Sequence, residues 1–393
     1  MSDKINKVLS YIVVAVLSAS VAIVGCLNFL HPAESAPVVQ NDKLAELQAS
    51  IDKYFIGEYD QSTLDDAAAS AIVDALGDPW SYYMTAEQYG GYQDVMQNIT
   101  IGIGITIQVM EDGSGYNILA VVKNSPAYEQ GVKKRDVIIS VNGTSVAGVD
   151  LATVHNLIRG EEGSFVELTV ARGEEILTFR VERKRYQMPV AQYRMLEDNI
   201  GLVTIENFDA RCADETIAAV EALRAQGATA LIFDVRNNTG GYKRELVRVL
   251  DYLLPEGVIF KSEDYRGVTS EDRSDAACVD LPMAVLVNGD SYSAAEFFAA
   301  ALVDYEVATL VGNKTTGKGY FQNTFELSDG SAVNLSTGKY YTPNGVSLAG
   351  VGLTPEHEVP VDEWTAYYIA LDALEPEEDP QIMAAVNALK SAN

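Results

Sequence analysis

Histidine and cysteine are scarce, with three of each in 393 residues. Zinc sites need such side chains clustered at short spacing. Cys26, Cys212 and Cys278 form no cluster, so no metal ligation is expected. Cys212 and Cys278 could join as one disulfide, and the sequence alone leaves that open. A Ser–His–Asp mechanism has only His31, His155 and His357 to draw on. The first lies in a leading segment, the second in a strand-rich stretch and the third in a late loop, LTPEHEVP, so none is well placed as a base. Positive charge is scarce too: 28 Lys and Arg stand against 56 Asp and Glu, a formal net charge of −28. Phosphate backbones are held by a basic face, so nucleic acid is excluded as a partner. The acidic surface reads as hydration and solubility.

The start of the chain carries a targeting signal. Lys4 and Lys7 precede the uncharged stretch 8–30, VLSYIVVAVLSASVAIVGCLNFL, long enough to cross a bilayer as a helix. Positive charge ahead of it keeps the N-terminus inside and the body outside. The expectation is a single-pass cell-membrane protein with an extracytoplasmic body. IVGC (23–26) also has the form of a lipoprotein box, which would make Cys26 a lipidated first residue; simple cleavage and secretion is the third possibility.

Residues 1–42 therefore read as anchor or signal plus linker, and 43–98 as a helical region in which Leu44, Leu47, Ile51 and Phe55 fall at helical spacing. Thr85 ahead of Gln88 has the form of a capping box. Over 99–186 the period changes to two: short strands with two helices suit a small, partly open barrel. From 187 to 393 strands alternate with helices, which argues for a parallel sheet with helical crossovers. The fold class expected is mixed α/β.

Ligands of open α/β sheets sit at the carboxyl ends of strands. Three loops occupy such places: RNNTGG, GDSYSAAE and GNKTTGKGYFQ. The second offers Ser291 and Ser293 where a strand turns into a helix. A serine hydroxyl needs a base, and a lysine kept neutral by desolvation can serve. Lys318, among small or uncharged neighbours, is the better candidate, and Lys314 the weaker. TTGKG (315–319) has a phosphate-loop flavour, but Gly319 stands where Ser or Thr would hold magnesium, so no nucleotide or other cofactor is expected.

The ordered blocks ALGDPWSYYMTAEQY, GIGITI, SPAYEQGVKKRDVIISVNGTSV, LIRGEEG, IFDVRNNTGG, VLVNGDSYSAAE, VGNKTTGKGYFQ and YYTPNGVSLAGVGLTPEHEV together resemble the carboxyl-terminal processing peptidases, or tail-specific proteases. The resemblance runs from about 43 to 360. It implies a PDZ domain inserted ahead of a crotonase/ClpP-like α/β core, and serine endopeptidase activity through a Ser–Lys dyad. The family's S-A-S-A-S-E block matches SYSAAE, so Ser293 stands as nucleophile, Ser291 as the first serine, and Ala295 replaces the third. Lys318 stands 25 positions after Ser293, as the family's lysine does after its serine. Gln322 matches the glutamine thought to orient the lysine. Asp304 matches an aspartate of some members, where capping or pairing is at least as good an account. In the PDZ block Arg135 replaces the usual glycine before Asp136.

On that reading the oxyanion donors are the N–H groups of Ala294 and of the Gly240–Gly241 pair. The loop Gly102, Ile103, Gly104 and Ile105 resembles a carboxylate-binding loop for protein C-termini, with Arg159 as an added positive charge. The partners implied are protein or peptide substrates with free C-termini, the membrane, and a second copy of the chain as a dimer. The rival readings are a non-catalytic, membrane-anchored PDZ scaffold and a crotonase-like acyl-CoA enzyme.

Overall fold

The computed structural model describes residues 42–391. The anchor, its alternative cleavage sites, Cys26 and His31 lie outside them. Among the described residues no helix is long and apolar enough to cross a membrane. Helix α1 (Asp42–Tyr54) leaves Leu44 and Leu47 exposed. Helix α2 (Gln61–Asp74) follows, then strand β1 (Tyr82–Met84) and helix α3 (Ala86–Met96). The Thr85 hydroxyl accepts the Gln88 N–H and the Gln88 side chain accepts the Thr85 N–H, closing the expected capping box.

The middle of the chain is strand-rich. It runs β2 (Ile99–Gly102), β3 (Ile105–Val109), β4 (Tyr116–Val121), α4 (Pro126–Glu129), β5 (Val137–Val141), β6 (Thr144–Ser145), α5 (Leu151–Ile158), β7 (Phe165–Arg172), β8 (Glu175–Glu182) and β9 (Lys184–Gln187). Strands β3-β4-β5-β7-β8 form one antiparallel sheet in that order, with β6 beside β5 and β3 at an edge; β2 pairs with β9. Alternation sends Val166, Leu168, Val170 and Val181 into a core with Ile118 and Ile138. Arg135 takes φ +72°, so the turn before β5 does require a left-handed residue, the conformation glycine adopts most easily. Asp136 then accepts from the Lys133 N–H and pairs with Arg172 at 2.6 Å.

The remainder builds the second core. In chain order it runs β10 (Ala191–Met195), β11 (Ile200–Ile205), α6 (Cys212–Ala225), β12 (Ala230–Asp234), α7 (Lys243–Leu253), β13 (Gly257–Asp264), β14 (Thr269–Ser274), β15 (Met283–Val287), α8 (Ala294–Asp304), β16 (Ala308–Gly312), β17 (Tyr320–Glu326), β18 (Ala332–Tyr341), β19 (His357–Glu358), α9 (Glu363–Ala370) and α10 (Pro380–Ser391). The sheet order is β10-β11-β12-β15-β16-β19, with β10 antiparallel and the rest parallel. Helices α6, α7 and α8 pack on one face against Val203, Phe233 and Val285. Helix α10 covers the other, setting Ile382, Ala385 and Val386 against Ile232, Ala284 and Leu286. With both faces covered, ALIFD and MAVLV are buried at every residue, which explains their unbroken apolar runs. Arg236 fixes α10 in place: its guanidinium pairs with Asp234 at 2.5 Å and Asp379 at 2.8 Å, and donates to Gln381 at 2.9 Å.

A second, antiparallel sheet was not foreseen from the sequence. Its order is β1-β18-β13-β14, with β17 beside β18. It carries the segments after Lys318 and brings the distant stretch 78–84 beside them.

Candidate active site

The loops after β12, β15 and β16 meet at a cleft of about 930 Å³, lined by Gly240, Gly241, Ser293, Lys318 and Gln322, with Trp80 and Asp209. Of the two serines in GDSYSAAE, Ser291 is fully buried; its hydroxyl donates to the Val235 carbonyl at 2.7 Å and accepts the Asn288 N–H at 3.0 Å. It holds the loop and has no access to a substrate. Ser293 faces the cleft. It stands at the strand-to-helix turn with φ 57° and ψ −124°, a conformation that costs a non-glycine residue about 1–3 kcal/mol. The turn brings its side chain up to Gly240, where an added Cβ would lie 2.8 Å from Ser293 Cβ and 3.1 Å from its Oγ. The glycine is there because nothing larger fits.

Glu296 links this turn to the lysine loop. Fully buried, its carboxylate accepts from the Ser293 N–H (3.1 Å) and the Lys318 N–H (2.8 Å) on Oε2. On Oε1 it accepts from the Thr315 hydroxyl (2.5 Å) and the Gly317 N–H (2.7 Å). Burial pushes its carboxyl up while these four donors pull it down. Sequence reasoning quoted Glu296 without giving it a role. The signal was there, since Ser293-x-x-Glu296 has capping-box spacing.

The Lys318 amine is half-buried and lies 4.5 Å from the centre of the Trp80 ring and 5.6 Å from that of Tyr292. Burial holds its pKa below the ordinary lysine value; Asp78 and Glu296 oppose that shift. No hydrogen bond joins the amine to the Ser293 hydroxyl, so the two groups share a cleft without touching through a proton. Lys314, the weaker candidate, is exposed and lies off the cleft. Gln322 lines the cleft but does not bond the lysine. Its amide donates to Ser336 Oγ at 3.0 Å and the Tyr320 carbonyl at 3.2 Å, because a bulge between Phe321 and Gln322 sets its register against β18.

The oxyanion assignment needs one correction. The Gly240 N–H is already committed to Asn238 Oδ1 at 2.9 Å. Asn238 is fully buried; it also donates to the Ile205 carbonyl, and its own carbonyl accepts the Tyr292 N–H. Gly240 is therefore a steric necessity rather than a donor. Ala294 N–H, at the first position of α8, and Gly241 N–H have no acceptor among the described residues. A Cβ on Gly240 would lie 3.0 Å from the Ala294 nitrogen, which places that N–H beside Ser293.

The other expected residues fall as follows. Asp304 ends α8 and accepts the Asn344 N–H at 2.9 Å, a structural tie. Cys212, buried, and Cys278, exposed, are free thiols, so no disulfide joins them. His155 lies on α5 and His357 on β19, both off the cleft. Gly102 to Ile105 span the turn between β2 and β3, where Gly104 takes φ +80° against Ser125. Arg159 caps α5, exposed, and no hydrogen bond or ion pair ties it to that loop. Among the described residues no cluster of His, Cys, Asp and Glu is arranged to hold a metal.

Comparison with known proteins agrees with this architecture. Residues 199–359 match peptidase family S41, and 118–172 match the PDZ domain. A protein of Staphylococcus haemolyticus described as a probable CtpA-like serine protease is 29% identical over 354 residues, 88% of this chain and 71% of that one. One of Staphylococcus aureus with the same description is 31% identical over 319 residues, 80% of this chain and 64% of that one. A solved structure from Bacteroides fragilis, titled as an S41 protease, superposes with a TM-score of 0.61 at 17% identity, over 82% of this chain and 90% of that one; it shows the shared fold. The match to peptidase family S41 over 199–359, with a PDZ domain ahead of it, and the similarity to CtpA-like serine proteases identify a serine peptidase that carries a PDZ domain.

Proposed function

We propose that Ser293 is the nucleophile, Lys318 its base, and protein C-termini or unfolded tails the substrates. The observation that carries the assignment is the strained turn at Ser293, with the free Ala294 N–H beside it, Gly241 lining the same cleft, and the Lys318 loop fastened to the same carboxylate. Strain of this kind persists only where surrounding structure enforces it, and it gathers at reacting residues.

In this reading the Lys318 side chain leaves the Trp80 ring and, as a neutral amine, takes the Ser293 proton while Oγ adds to the substrate carbonyl carbon. The oxygen that gains the charge lies between the Ala294 and Gly241 N–H groups; losing one such donor typically costs about 10²–10³ in rate. The lysine ammonium returns its proton to the leaving amine as the C–N bond breaks, giving an acyl-enzyme. Water then adds to the ester, its proton passes to Lys318, and Ser293 leaves as the hydroxyl once that proton is returned. Gln322 would join the lysine only after shifting off Ser336.

The edge strand β3 and the turn ahead of it support peptide capture by strand addition, with backbone N–H groups on the terminal carboxylate. Residues 8–30 would anchor the protein at the cell membrane with this body outside, and a dimer is the assembly the family resemblance favours. The test uses the full-length protein with an unfolded substrate and peptides ending in a free or an amidated carboxyl. Wild type cleaves, and Ser293→Ala and Lys318→Ala lose at least about 10³ in kcat/KM. Cleavage that survives Ser293→Ala overturns the nucleophile. Equal turnover of free and amidated ends overturns C-terminal recognition.

A further inference from the structure

The cleft holds a second charged group that the reaction above does not use. Asp209 follows the buried Phe208, and this pair is stitched to the oxyanion segment. The Phe208 N–H donates to the Gly240 carbonyl and the Tyr242 N–H to the Phe208 carbonyl, both at 2.7 Å. A Cβ on Gly241 would lie 2.7 Å from the Asp209 nitrogen. Asp209 is only 5% exposed, yet it lines the cleft. Its backbone is satisfied: its N–H donates to Asn207 Oδ1 at 3.0 Å, and its carbonyl accepts the Cys212 N–H at 3.1 Å. Its carboxylate has neither a donor nor a cation among the described residues. The neighbouring cation, Arg211, is turned away onto Glu215 and the Met188 carbonyl. Among the described residues lining the cleft, Lys318 is the single lysine or arginine and Asp209 the single carboxylate, and the carboxylates that act on Lys318 are Asp78 and Glu296 rather than Asp209.

A carboxylate this deep costs several kcal/mol unless something pairs with it. We infer that Asp209 is the base of a side-chain subsite that takes a cationic substrate residue, lysine or arginine. The inference rests on the peptidase reading above and adds the chemistry of one subsite to it. Tyr92 and Tyr242 share the cleft with Asp209; Tyr92 stacks on Tyr89, and the Tyr242 ring already carries the Arg244 guanidinium at 4.7 Å, which shows that this ring accepts a cationic group.

The titratable groups facing Asp209 are Tyr92 on α3, Tyr242 ahead of α7 and Cys212 on α6. Burial holds both tyrosines above the ordinary phenol value and pushes the Cys212 thiol up to about 12, so none of the three ionises near neutrality. Burial pushes Asp209 up to about 7. The subsite is thus charged above that pH and neutral below it, while a substrate lysine stays protonated throughout.

The experiment compares peptides that differ only in lysine against norleucine, with the substitution walked through each position flanking the scissile bond. The readout is the ratio of kcat/KM values for the pair, in which titration of Lys318 cancels. At one position lysine is favoured by about tenfold at pH 8, and the ratio falls as pH is lowered to 6. Asp209→Asn brings the ratio at that position to about one at both pH values; Asp209→Glu keeps a lysine preference. No lysine preference at any position, a preference independent of pH in wild type, or one that survives Asp209→Asn overturns the inference. The wild-type pH series needs no variant to fold. If Ser293→Ala cleaves like wild type, the nucleophile fails while the lysine ratio still reports on Asp209.

Discussion

Replacing Glu296 by glutamine isolates the contribution of one carboxylate to both halves of the site. The exchange keeps the side chain's shape and removes one acceptor atom. Glu296 is fully buried and accepts four donors, two on each oxygen. The best glutamine orientation leaves its oxygen on the Ser293 and Lys318 N–H groups and turns its NH₂ toward Thr315. The Thr315 hydroxyl can rotate to accept from it, although that oxygen already accepts the Leu353 N–H at 2.8 Å. The Gly317 N–H cannot rotate and faces a donor. One orphaned buried N–H costs about 1–3 kcal/mol. The two bonds that remain fall from charged to neutral strength, roughly 1 kcal/mol each. Relief from burying a charge returns part of this, leaving a net loss of about 2–4 kcal/mol.

The assay is urea unfolding of the full-length protein, read as a lower midpoint at unchanged slope. Glu296→Ala should lose more than Glu296→Gln, because it strands all three N–H groups. Activity should fall as well, since Ser293 and the Lys318 loop no longer share an anchor, and about 1 Å of drift between reacting groups can cost about 10²-fold. A glutamine variant within about 0.5 kcal/mol of wild type, or one less stable than the alanine variant, refutes the account of Glu296 as the shared anchor.

Two further perturbations have signs set by the structure. Lys318 has its folded pKa below the ordinary lysine value, so between that lowered value and about 10.4 the unfolded chain binds a proton the folded chain has shed. Stability from this site is lowest at neutral pH and rises with pH across that window. Lys318→Met should therefore be more stable than wild type at pH 7, with the gap closing toward pH 10; denaturant midpoints at the two pH values check it. At Arg135 the left-handed φ of +72° costs about 1 kcal/mol, while its 3.4 Å ion pair with Glu375, made by a side chain 78% exposed, contributes about 0–1 kcal/mol. Arg135→Gly should be neutral or stabilising by up to about 1 kcal/mol and Arg135→Ile destabilising by about 1–2 kcal/mol, read from thermal midpoints.

The elements with one dominant local signal could be read directly. The buried runs ALIFD and MAVLV, the Thr85–Gln88 capping box and the period-two strands of 99–186 each carry their own pattern. Ser293 and Lys318 each lie in a loop between such elements, and the structure brings both loops to one cleft. The antiparallel sheet of β1, β13, β14, β17 and β18 could not be read in this way. Its strand β1 is three residues long, pairs with residues some 250 positions away, and shows no alternation over that length. Residues whose role depends on that sheet were missed with it: Asp78, Trp80 and the Gln322–Ser336 contact. Asp209 was missed for a different reason. An aspartate near a helix start reads as a cap, and only the fold shows that its carboxylate has no partner and faces a cleft.

The place where the lysine amine rests bears on the whole site. Over the Trp80 ring the quadrupole favours the ammonium form, as do Asp78 and Glu296, while burial favours the neutral one. In the proposed reaction the same amine must be neutral when it meets Ser293. Position and charge are therefore coupled: leaving the indole removes a preference for the proton, and approaching the hydroxyl requires its absence. The carboxylate of Glu296 holds the backbone of both residues, so the movement is confined to the flexible lysine side chain. A substrate chain entering between Trp80 and Ser293 would displace the amine from the ring and exclude water from it, both of which favour the neutral base. On the proposed mechanism, the strained serine is fixed in advance and the arrival of substrate sets the protonation state of its partner.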